Sequence, residues 1–115
     1  MKTTIALLAL VLATGAHAEQ PLARDALQIC DARMTGPNWE CRYLILGTVD
    51  GVHAGMVLSK GKPWFCLPDA ARGGEKFAVA MKYLHQHPEA RSQELGEVIA
   101  AALAESYPCG HIKQR

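Results

Sequence analysis

Neither sign of charge is in surplus, and that absence narrows the field first. Twelve Lys and Arg stand against eleven Asp and Glu in 115 residues, whereas a surface built for nucleic acid carries a clustered basic excess. Long apolar runs are missing as well. The one candidate, Ile5 to Ala13, is too short to cross a hydrocarbon layer about 30 Å thick as a helix. No Ser sits in a nucleophile elbow and no H-E-x-x-H occurs, so two common hydrolytic signatures are excluded. The cysteines never form C-x-x-C and their spacings are long, which argues against a zinc site. No stretch alternates with a period of two, so the expected fold is all-α, a small bundle of four to five helices.

What is present begins with an address. Lys2 precedes the apolar run, and Ala16-His17-Ala18 follows it. This is a charged n-region, a short h-region and a small-x-small cleavage site, the pattern of a secretory signal peptide. Residues 1–18 are therefore expected to be removed, leaving a mature domain over 19–115 that is exported to a bacterial periplasm. Loss of Lys2 makes the mature chain formally neutral, with eleven residues of each sign. No later segment is apolar enough to hold it in a membrane.

A domain of this size buries a modest fraction of its surface, and covalent staples compensate. Four cysteines in an exported chain predict two disulfides, with three pairings open by counting alone. The helix pattern selects among them. Leu22, Ala26, Ile29 and Cys30 place a first helix over about Pro21 to Arg33, and Thr35-Gly36-Pro37-Asn38 ends it. A second helix runs from about Trp39 to Leu58, stopped by Ser59-Lys60-Gly61-Lys62-Pro63. A third starts between Asp69 and Glu75, carries the stripe Phe77, Ala80, Met81 and Leu84, and stops at Pro88. Ser92 is the expected N-cap of a fourth, whose face is Leu95, Val98, Ile99, Ala102, Leu103 and Ser106. With neighbouring helices antiparallel, Cys30 and Cys41 fall at one end of the bundle and Cys66 and Cys109 at the other. The expected pairs are Cys30 with Cys41 and Cys66 with Cys109.

The second helix holds Gly47, Gly51 and Gly55 at four-residue intervals. Each glycine inside a helix costs about 1 kcal/mol against alanine, so three on one stripe imply a return. Close approach by a neighbouring helix or by a second subunit would supply it; a groove floored by bare backbone, or a break at Gly51, are the alternatives.

Several motifs together resemble one family. Cys41 followed by Gly47 and Asp50, the Phe65-Cys66-Leu67-Pro68 turn, Lys82-Tyr83-Leu84 with His87-Pro88-Glu89, and Ala102-Leu103-Ala104 running into Tyr107-Pro108-Cys109 look like the Rap/Tai family of type VI secretion immunity proteins. The resemblance covers nearly all of the mature chain. It implies a small helical periplasmic protein, often dimeric, that binds and blocks a cognate peptidoglycan-cleaving amidase toxin. It implies no enzyme activity, cofactor or metal.

For the partner interface the candidates are Lys60, Lys62 and Trp64, which combine a turn, two cations and a large ring. Packing of Trp64 over the core beside Cys66 is the competing expectation. His53, His85, His87 and His111 are the side chains that could act as bases or ligands. His85 and His87 point to different helix faces, His87 suits a capping role, and Asp50 with His53 reads as a helix-surface pair. The alternative function is a small periplasmic stress or chaperone-like helical protein without a toxin partner. The five histidines, which charge below about pH 6.5, are compatible with it.

Overall fold

The computed structural model of the chain describes residues 19–110. The expected signal peptide at 1–18 and His111 lie outside the described residues. Among the described residues there are four α-helices, one short 3₁₀ turn between the last two, and no strand: α1 Ala23–Cys30, α2 Trp39–Ser59, α3 Gly73–Gln86, the 3₁₀ turn Pro88–Ser92, and α4 Leu95–Ser106. The all-α expectation holds.

The most apolar element is α4, which buries Leu95, Val98, Ile99, Ala102 and Leu103 and packs against α2 and α3. Fully burying a residue such as Leu95 or Ile99 contributes about 1.5–3 kcal/mol, and Phe65 from the α2–α3 connection adds another fully buried ring. α2 contributes Cys41, Ile45, Val49 and Met56 to this core. Their spacing keeps them on one narrow stripe of a 3.6-residue helix.

Both disulfides form as the antiparallel arrangement requires, Cys30–Cys41 and Cys66–Cys109, each with 4.8 Å between Cα atoms. They exclude the zinc reading of these cysteines. Closing loops of 11 and 43 residues removes chain entropy from the unfolded state worth about 3 and about 4 kcal/mol. Asn38 secures the first staple's surroundings. Its Oδ1 accepts the Cys41 N–H at 3.0 Å while its Nδ2 donates to the Ile29 carbonyl at 2.8 Å, so one side chain caps α2 and ties it to the end of α1.

Two details differ from expectation, and one alternative is excluded. α1 is shorter than Pro21 to Arg33, spanning Ala23–Cys30. Ser92 does not cap α4: it ends the 3₁₀ turn, and Glu94 holds the N-cap position without a side-chain hydrogen bond. The reason is a backbone stitch. Ala23 N–H donates to Gln93 O at 2.9 Å and Leu95 N–H to Pro21 O at 2.8 Å, so the first amide of each helix is satisfied by a carbonyl of the segment leading into the other. Finally, α2 passes through Gly51 unbroken and ends at Lys60, which adopts the left-handed conformation at φ 55°.

Candidate protein-binding faces

Trp64 is 61% exposed. The expectation that it covers the core beside Cys66 is overturned, because the adjacent Phe65 occupies that place at 0% exposure. Lys60 and Lys62 are exposed on the same connection. The turn is held from α2: Ser59 Oγ donates to the Met56 carbonyl at 2.8 Å and the Trp64 N–H donates to Met56 Sδ at 3.3 Å. Trp64 lines a groove of about 500 Å³ together with Gly55 and Met56 of α2, Gly96, Glu97 and Ala100 of α4, and Glu94.

The glycine stripe does not serve packing between helices of this chain. A Cβ added at Gly47, Gly51 or Gly55 would meet no described atom within 4 Å. All three are exposed, on a face that also presents Tyr43 (71%) and Leu58 (78%).

A second groove, about 790 Å³ and open, runs beside the Cys30–Cys41 disulfide between α2 and α3. Trp39 lines it, with Tyr43 stacked on the outer side of Trp39 at 6.0 Å between ring centroids, and the Arg42 guanidinium lies 5.7 Å from the Phe77 ring centroid. Sequence reasoning passed over this trio. The signal was available: Trp39 and Tyr43, four residues apart, both fall off the Cys41, Ile45, Val49 stripe and so face outward.

Of the described histidines, His85 and His87 are each tied to an acidic residue. His85 Nε2 lies 3.0 Å from Asp31 Oδ1 and its Nδ1 2.9 Å from the Met81 carbonyl. Both contacts are acceptors, which a neutral ring satisfies only singly and an imidazolium doubly. His87, the C-cap of α3, places Nδ1 2.8 Å from Glu89 Oε1 and stacks on Tyr83 at 3.9 Å. Glu89's own backbone amide, and then His87, hold the Glu89 carboxyl below its ordinary range. The expected Asp50–His53 pair does not form; the His53 ring instead lies 6.0 Å from Phe65. The Tyr107 hydroxyl is buried without a hydrogen-bond partner among the described residues. Burial, and then the charge of Glu75, push its pKa up. Among the described residues no group of three or more His, Cys, Asp or Glu side chains is placed to hold a metal ion, and no helix is long and apolar enough to cross a membrane.

Fold and faces together define a small, doubly disulfide-linked all-α domain with apolar grooves rimmed by charge. The chain belongs to the Rap1a immunity proteins, whose family model matches residues 15–109. No curated protein and no solved structure matches it.

Proposed function

We propose that this protein is the periplasmic immunity partner of a peptidoglycan-cleaving amidase toxin delivered by a type VI secretion system. It acts by binding the toxin and covering its catalytic cleft, without catalysis of its own. The observation that carries the reading is the family match over residues 15–109. The two disulfides are compatible with a compartment outside the cytoplasm, where such bonds persist, and residues 1–18 supply the export signal.

Lys60, Lys62 and Trp64 contribute to the toxin interface. They project from a turn, and an exposed tryptophan beside a groove is the type of anchor that dominates protein interfaces. Two copies of the chain pair along the uncovered face of α2, where Gly47, Gly51 and Gly55 let backbones approach closely.

The test is protection in a living cell. The amidase encoded beside this gene, directed to the periplasm of a bacterial host, lyses it; co-expression of the full chain prevents lysis. Expression of residues 19–115 alone, confined to the cytoplasm, does not protect. Lysis unchanged by the exported chain overturns the proposal.

A further inference from the structure

The groove between the start of α2 and the end of α3 joins a cation without a partner to aromatic rings without cover. Arg42 is half-buried. The ion pairs formed among the described residues are His85 with Asp31 and His87 with Glu89, and neither engages Arg42. Withdrawing a guanidinium from water carries a desolvation cost that an opposite charge offsets best, and the Phe77 ring beneath it supplies only part of that. One carboxylate lines this groove, that of Asp31, and His85 holds it at 3.0 Å. Trp39, 54% exposed, lines the groove one turn of α2 before Arg42. Arginine and tryptophan are among the residue types in which binding energy concentrates at protein interfaces.

We propose that this groove receives an acidic side chain of the toxin, with Arg42 pairing its carboxylate and Trp39 covering the apolar residues that flank it. The inference rests on the immunity reading above and adds a second anchor to the connection carrying Lys60, Lys62 and Trp64. The charge and its place argue for a toxin rather than a second copy. Gly51 follows Arg42 by nine residues, about half a turn around a 3.6-residue helix. A copy seated along the glycines therefore leaves the groove open.

The experiment is calorimetry of the mature, oxidised protein with the amidase encoded beside its gene, at low and physiological salt, for the wild type, Arg42→Glu and Arg42→Gln. The glutamine variant keeps much of the stem over Phe77 and decides the matter should the glutamate variant fail to fold. Removing one partner of a desolvated charge pair weakens binding by about thirtyfold or more, and both variants are expected to do so while losing part of the salt dependence. Binding within threefold of wild type at both salts overturns the proposal. So does an altered sedimentation of the free protein with toxin affinity unchanged, which assigns the groove to a second copy. Absence of binding by the wild type overturns this inference and the immunity reading together.

Discussion

Trp64 and Phe65 are neighbours in sequence and opposites in environment: Phe65 is 0% exposed and Trp64 61%. The division separates a residue that holds the fold from one left at the surface. Phe65→Ala is expected to destabilise the domain by about 3–5 kcal/mol through the lost burial and the cavity left behind. Trp64→Ala should change stability by less than about 0.5 kcal/mol yet weaken toxin binding at least about tenfold. Urea unfolding of both variants, with calorimetry of the second, checks the contrast.

The glycine face gives a prediction whose sign distinguishes two situations. Open space surrounds Gly51 within one copy, so Gly51→Ala should stabilise an isolated chain by about 1 kcal/mol. If two copies pack there, the added methyls hold the backbones apart. We expect analytical ultracentrifugation to show a weakened dimer while the dilute monomer melts at a higher temperature. A variant that dimerises like the wild type removes the α2 face from the account.

Tyr107 is a buried hydroxyl with no hydrogen-bond partner among the described residues, and such a group costs about 1–3 kcal/mol. Tyr107→Phe keeps the ring and discards that cost, offset by the lost attraction between the hydroxyl proton and the Glu75 carboxylate, so stability near neutral pH should change by no more than about 1 kcal/mol. The raised pKa also carries a sign. The unfolded chain releases this proton near the ordinary 10.0 while the folded one retains it, so the wild type loses stability as pH climbs above 10.0. The phenylalanine variant lacks that component, which denaturant melts between pH 7 and 11 would register.

Glu89 behaves in the opposite sense. Its backbone amide and His87 lower its pKa from 4.5, so the stabilisation is present above pH 4.5 and fades as the pH falls through the lowered folded value. Glu89→Gln is expected to be less stable than wild type at pH 7, with the gap closing below pH 4.5. A gap that persists at pH 3 would mean that packing, and not charge, is what the substitution disturbs.

Much of this was legible before the structure. The i, i+3, i+4, i+7 stripe of Phe77, Ala80, Met81 and Leu84 located α3, and the antiparallel placement of Cys30, Cys41, Cys66 and Cys109 gave both disulfides. Sequence reasoning failed where a distant backbone replaced a local side chain. Ser92 is a sound cap in isolation, but the carbonyl of Pro21 reaches the first amide of α4 instead. Asp31 and His85 are 54 positions apart, a contact no local pattern encodes. His53 was assigned to Asp50 by spacing, whereas the buried Phe65 claims its ring. Trp39 and Tyr43 were readable as an outward face, whereas Arg42 borders the buried stripe and its place over Phe77 depends on the packing of α3.

The most direct measurement is hydrolysis of peptidoglycan by the neighbouring amidase, titrated with the mature, oxidised protein and paired with calorimetry. The account predicts stoichiometric loss of activity and saturable binding tight enough to titrate. Full amidase activity in excess protein, with no heat of binding, would contradict it.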